Sequence, residues 1–173
     1  MSNGQSFSGK REHGPVIIFR NIPYAEPPTG NRRWKEPTIK TSYSGPIDGT
    51  KQGYACATVR STDNPDDNGE SEDCLHVNVS VAEWVLQNKG KVPVVAYVHG
   101  GGHNGGTNGN PLHYLADQGL VVFNIRWVLK MTFGPWLRAP FGKYKHGNPS
   151  KLPSRSLGLS AFGINRIWSI ISW

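Results

Sequence analysis

The feature that most restricts the fold is a succession of strand, glycine-rich loop, helix and strand. Residues 91–101, KVPVVAYVHGG, form a continuous apolar run that ends in glycine, which is typical of a strand buried on both faces. Residues 110–119, NPLHYLADQG, predict a short helix that ends at Gly119. Residues 120–127, LVVFNIRW, predict a second buried strand. The chain is therefore expected to build part of a parallel sheet.

Two earlier strands are also predicted. Residues 14–19, GPVIIF, are rich in β-branched side chains, and residues 74–82, CLHVNVSVA, place leucine and valine on one face by strict alternation. Residues 21–37 carry four prolines and predict an ordered loop. We expect residues 1–14, MSNGQSFSGKREHG, to be disordered, and they lack the apolar stretch of a secretory signal.

The positive net charge of +7 is confined to the last third of the chain. Residues 1–118 hold eleven Lys and Arg against twelve Asp and Glu, whereas residues 119–173 hold eight Lys and Arg and no acid. A basic segment rich in aromatic side chains could bind nucleic acid through phosphate contacts and base stacking. We favour the alternative, in which the tail is compositionally aberrant, because folded domains normally mix both signs of charge. We expect no nucleic-acid partner.

The two cysteines leave the redox state open at this point. Cys56 and Cys74 flank the polar, turn-rich sequence ATVRSTDNPDDNGESED. A disulfide that closes this surface loop and a pair of free thiols are equally compatible with one cysteine pair.

Three motifs, in order, resemble those of the type-B carboxylesterases. They are FRNIPYAEPPTGNRRWKEP at residues 19–37, SEDCLHVNV at residues 71–79 and PVVAYVHGGGHNGG at residues 93–106. The resemblance is close over residues 15–126, continues loosely to residue 148 and then stops.

This resemblance implies an α/β class: the N-terminal part of an α/β-hydrolase fold, with a mixed central sheet and flanking helices. It implies a partial domain over residues 15–148, followed by an aberrant tail at 149–173. The family hydrolyses small-molecule carboxylic esters with a serine, an acid and a histidine. We therefore expect an ester substrate, no cofactor, no metal and no membrane span.

The glycine run resembles the oxyanion hole of this family, in which backbone N–H groups face the negative oxygen of a tetrahedral intermediate. By position in the motif, Gly101 and Gly102 are the expected donors, and Gly100 is expected to shape the turn. The resemblance implies that His99 supports the loop and is not the catalytic base. Glycine suits such a loop because a Cβ would block the approach of the substrate.

The resemblance also bears on the cysteines. Family members pair the cysteine of the second motif with an upstream cysteine, which implies a Cys56–Cys74 disulfide and descent from secreted or lumenal esterases. They also pair the arginine and glutamate that correspond to Arg33 and Glu72, which implies a structural salt bridge. The loop between the cysteines has no aromatic residue. Because cholinesterases carry a choline-binding tryptophan there, that specificity is disfavoured.

The catalytic serine is not evident. The sequence contains no G-x-S-x-G match, and the nearest segment, GLSAFG at 158–163, is one residue too long, so Ser160 is a weak candidate for the nucleophile. No acid follows Asp117. His103, His113 and His146 fit surface positions better than a catalytic base.

We therefore expect a truncated esterase-like chain that is inactive by itself. Its incomplete sheet should leave an open edge that a protein partner covers. Two alternatives remain, a small esterase that uses Ser160 and a non-catalytic binding module such as the adhesion-type members of the family.

Overall fold

The computed structural model of this chain describes residues 5–57, 68–88, 90–100 and 112–127. The predictions for Gly101, Gly102, His103, His146, Ser160 and the tail at 149–173 lie outside these residues. The elements, in chain order, are β1 (Phe7–Ser8), β2 (Lys10–His13), β3 (Val16–Pro23), a 3₁₀ turn (Gly30–Arg32), β4 (Ile47–Asp48), β5 (Ala55–Cys56), β6 (Glu70–Ser71), β7 (His76–Ala82), α1 (Glu83–Gln87), β8 (Val94–Val98), α2 (His113–Asp117) and β9 (Val121–Ile125).

The main sheet has five strands in the order β2-β3-β7-β9-β8. Its pairings are antiparallel except that of β8 with β9, which is parallel and has α2 between the two strands in the chain. The predicted β–α–β unit and the mixed central sheet are therefore confirmed. Gly119 ends the segment after α2 with φ +91°, a conformation that favours glycine.

The N-terminal residues differ from the expectation of disorder. Strand β1 pairs in parallel with β4, and β2 pairs with β3 as an edge of the main sheet. These short strands carry little apolar signal of their own. Their order comes from the partner strands, to which the backbone hydrogen-bonds.

The core lies on both faces of β7, in which all seven residues are buried. On one face Val77, Val79 and Val81 pack in a cluster with Phe123 of β9, and Val85 of α1 joins that cluster. A second cluster joins Val16 and Ile18 of β3 to Val122 of β9 and Ala116 of α2. Because Val122 and Phe123 alternate in one strand, the two clusters lie on opposite faces of the sheet. The helices therefore flank the sheet as expected.

Strand β8 contradicts the prediction of a strand buried on both faces. It is one of the two edge strands of the main sheet, and its residues alternate between exposed and partly buried. Val94 and Val98 are 41% and 42% exposed. The apolar run predicted a central position. Among the described residues, however, β8 pairs with a strand on one side only, and the face that carries Val94, Ala96 and Val98 is exposed.

This uncharged edge should promote self-association. An exposed β-branched edge strand is a template for pairing with another chain, and a lysine within it blocks such pairing. We expect sedimentation velocity to show concentration-dependent association of the wild-type chain. Ala96→Lys should reduce this association, whereas Ser44→Lys, at an exposed loop position, should leave it unchanged. A wild-type chain that stays monomeric across the accessible concentrations would contradict this expectation.

Candidate functional site

The candidate site lies where β8 and β9 end. These parallel strands are in register with Val98 opposite Ile125, so the residues that follow both strands leave the sheet at the same edge. In α/β sheets, ligands bind beyond the carboxyl ends of the parallel strands. His99 and Gly100 follow β8 at this edge, and Trp127 lies two residues beyond β9.

His99 is held at the start of the glycine run. It is 7% exposed, and its Nδ1 lies 2.9 Å from the carbonyl oxygen of Gly100. A carbonyl only accepts hydrogen bonds, so this contact requires the proton on Nδ1. Nε2 is buried and has no hydrogen-bond partner among the residues that the structure describes. The imidazole ring is thus hydrogen-bonded to the backbone carbonyl of Gly100, at the start of the glycine run.

Trp127 contacts the same turn from β9. Its indole Nε1–H donates a hydrogen bond of 3.2 Å to the carbonyl oxygen of His99. The indole also stacks on the His99 ring, with centroids 5.3 Å apart and an angle of 27° between the planes. Trp127 was predicted as the last residue of a buried strand, and no sequence motif indicated this contact. The signal that could have found it is the parallel pairing itself, which makes the residues after β8 and β9 neighbours.

A buried polar cluster lies beside this edge, at the start of β7. The backbone N–H of Arg126 donates to the carbonyl oxygen of His76, and the Tyr24 hydroxyl donates to that of Arg126, at 2.9 and 2.8 Å. Burial, with a smaller effect of the Arg126 guanidinium, lowers the pKa of His76 to about 3. Burial also raises the pKa of Tyr24. Both groups are therefore neutral at pH 7, beside a fully buried arginine.

Gly53 allows this cluster to pack. A Cβ at Gly53 would lie 2.5 Å from atoms of the His76 imidazole and would also overlap the side chain of Asn21. The close approach of backbone to ring explains why the position carries glycine.

The structure contains the disulfide that the sequence resemblance implied. Cys56 and Cys74 are bonded, with their Cα atoms 5.1 Å apart, and both residues are buried. Arg33 Nη2 and Glu72 Oε1 lie 2.6 Å apart, so the structure also brings this predicted pair together. Both side chains are partly exposed, and such surface pairs contribute little to stability. The pair connects the proline-rich loop to the disulfide-bonded loop.

His113, at the start of α2, packs on strand β2. Its ring stacks on that of His13, with centroids 3.6 Å apart and planes 10° from parallel. Burial, followed by the charge of His13, lowers the pKa of His113, and Asp117 opposes this shift.

Two further observations concern ligands and membranes. Within residues 5–57, 68–88, 90–100 and 112–127, no three His, Cys, Asp or Glu side chains are grouped so that they could hold a metal ion. None of the described helices is long and apolar enough to cross a membrane.

Comparison with known proteins gives one consistent relationship. The sequence model of the carboxylesterase family matches residues 3–130. Fumonisin B1 esterase of Sphingopyxis macrogoltabida is 36% identical over 128 residues, which are 70% of this chain and 23% of that protein. The neuroligin-like protein glit-1 of Caenorhabditis elegans is 32% identical over 123 residues, which are 66% of this chain and 17% of that protein.

The fold comparison agrees. The crystal structure of juvenile hormone esterase from Manduca sexta matches with a TM-score of 0.61 and 28% identity, over 71% of this chain and 24% of that one. The chain therefore spans about a quarter or less of the length of the relatives named here.

Proposed function

Because the chain belongs to the carboxylesterase family, we propose that it supplies the oxyanion loop of a serine-dependent hydrolase of small-molecule carboxylic esters. Strands β8 and β9 of its α/β-hydrolase sheet end at a common edge, and the glycine run begins there. The observation that carries the proposal is the hydrogen bond between His99 Nδ1 and the Gly100 carbonyl, because it fixes the backbone where the run begins.

The geometry of the peptide bond connects this contact to catalysis. In a planar trans peptide, a carbonyl and the N–H that follows it point in opposite directions. We propose that a His99 ring that holds the Gly100 carbonyl thereby directs the N–H that follows it in the chain, which belongs to Gly101. We propose that the N–H groups of Gly101 and Gly102 stabilise the developing negative charge of the tetrahedral intermediate.

The proposed loop stabilises charge and does not attack the ester. An oxyanion-hole donor contributes on the order of 10²–10³ in rate, but only after a nucleophile has added to the carbonyl carbon. No G-x-S-x-G segment is present in this sequence, and residues 148–158 before Ser160, NPSKLPSRSLG, lack the apolar run that is typical of a buried strand. We therefore propose that this chain alone does not hydrolyse esters. Neither a cofactor nor a metal is needed for the proposed chemistry.

A fluorophosphonate probe, which reacts covalently with activated serines, tests this proposal. We expect no labelling of the purified chain under conditions in which a complete carboxylesterase is fully labelled. The matched variant is Ser160→Ala. Labelling of the wild-type chain that disappears in this variant would overturn the proposal and identify a small serine esterase. A labelled wild type and an equally labelled variant would place an activated serine elsewhere.

A second candidate function is a non-catalytic binding module of the esterase fold. The open face of β8 and the similarity to a neuroligin-like protein favour it. In this case a protein partner covers the edge strand, and Ala96→Lys abolishes the complex without lowering the unfolding midpoint. Retention of the complex in this variant would exclude β8 as the binding surface.

A further inference from the structure

The turn that begins the glycine run is held by two successive contacts. Trp127 Nε1–H donates to the carbonyl of His99, and the His99 ring donates to the carbonyl of Gly100. Two consecutive peptide planes are therefore fixed by side chains. Because the His99 carbonyl and the Gly100 N–H belong to one peptide plane, Trp127 also orients the Gly100 N–H.

Trp127 also restricts the ring on which the second contact depends. Its indole stacks on the His99 imidazole at 5.3 Å, and both side chains are largely shielded from water. An imidazole with a single hydrogen bond can rotate about its side-chain torsions unless a neighbour limits it. The stacked indole limits that rotation and keeps Nδ1 directed at the Gly100 carbonyl.

We propose that Trp127 is a positioning residue for the turn at His99 and Gly100, because it holds the His99 carbonyl and ring and so fixes the amide of Gly100 where the glycine run begins. What the loop binds rests on the proposed function, whereas the positioning itself rests on the contacts of Trp127. The residue acts through His99 and does not touch the substrate in this proposal. Trp127 follows β9, whereas His99 follows β8. The parallel pairing of these two strands therefore brings the two residues into contact.

Two substitutions separate the two contacts. Trp127→Phe keeps an aromatic ring for stacking and removes the N–H donor, whereas Trp127→Leu removes both. Trp84→Phe is the matched control, because Trp84 is a half-exposed tryptophan on α1 whose ring contacts Gly119 instead. The spectroscopic readouts are the carbonyl ¹³C resonance of His99, the amide resonances of Gly100 and Gly101, and the imidazole ¹⁵N resonances of His99.

We expect the His99 carbonyl and the Gly100 amide to shift in Trp127→Phe, with the imidazole resonances retained. In Trp127→Leu the imidazole resonances should change as well. The backbone resonances of Tyr97 and Phe123, within β8 and β9, should stay fixed in both variants, and Trp84→Phe should leave all of these signals at their wild-type positions. Loop resonances that match the wild type in both Trp127 variants overturn the proposal. Shifts that spread equally through Tyr97 and Phe123 also overturn it, because they indicate a general role in packing.

Binding of butyrate, used as a carboxylate probe at constant ionic strength, distinguishes this proposal from the proposed function. We expect butyrate to shift the amides of Gly101 and Gly102 in the wild type and to bind roughly fivefold more weakly in Trp127→Phe, as the loss of one hydrogen bond predicts. Absence of butyrate shifts in the wild type, together with altered loop resonances in the variants, would refute the anion site and still support positioning by Trp127. Equal butyrate affinity in the wild type and both Trp127 variants would overturn the positioning role.

Discussion

Lowering the pH from 7 to 5 is expected to reduce the free energy of unfolding by about 2 kcal/mol through His76 alone. The imidazole is 3% exposed and lies beside the buried Arg126, so burial and that charge lower its pKa from 6.5 to about 3. The unfolded chain takes up a proton below pH 6.5, whereas the folded chain does not until about pH 3. Stability therefore falls with pH across this interval, by about 1.4 kcal/mol per unit, and levels off below pH 3.

Urea unfolding at several pH values measures this slope. In His76→Phe, which keeps an aromatic side chain and cannot be protonated, the dependence on pH between 6.5 and 3 should be flatter by the contribution of His76. Ser44→Gln, at an exposed loop position that carries no titratable group, should keep the wild-type slope. If the wild type and the His76→Phe variant show the same pH dependence, His76 takes up its proton in the folded chain at the same pH as in the unfolded chain, which would contradict this prediction.

Removal of the Cys56–Cys74 disulfide is expected to cost about 3 kcal/mol of stability. The bond closes a loop with a sequence separation of 18 and so restricts the unfolded chain. Both cysteines are buried, and Cys56 lies in β5, which pairs with β6. The double variant Cys56→Ser, Cys74→Ser should show a lower urea midpoint than the oxidised wild type. The effect should exceed that of Arg33→Gln, which removes the partly exposed salt bridge to the same loop and the contact of the Arg33 guanidinium with the Trp34 ring.

Reduction provides the control for this second prediction. The wild type in excess dithiothreitol should approach the stability of the double serine variant, whereas the variant itself should be insensitive to dithiothreitol. An oxidised and a reduced wild type with equal midpoints would mean that the bond does not restrict the unfolded chain.

The sequence predicted those parts of the fold that have a strong local period. The strand, helix and strand from β8 to β9 follow from apolar runs separated by turn residues, and the structure contains them. The sequence of β8 could not predict its place at an edge, because the burial of a strand depends on neighbouring elements that the strand itself does not encode. For the same reason β1 and β2 were missed, since two short polar strands become ordered only through β4 and β3.

The candidate site likewise contains residues that the sequence could predict and residues that it could not. His99 and Gly100 could be found because a histidine followed by glycines is a local signal. The contact of Trp127 with His99 joins residues 28 positions apart and depends on strand pairing. The burial of His76 was hidden because alternation predicts one buried face, whereas in β7 the second face is covered too. The disulfide could not be decided from the cysteines themselves and followed from the family motif.

The central position of β7 has a consequence for synthesis of the chain. Its two neighbours come from distant segments, because β3 precedes it by more than fifty residues and β9 begins at Val121, well after β7 ends at Ala82. At translation rates of about 5–20 residues per second, several seconds pass between completion of β7 and completion of β9. During that interval the valines of β7 have only β3 to pair with, so the nascent chain carries an apolar surface that chaperones or other nascent chains can bind.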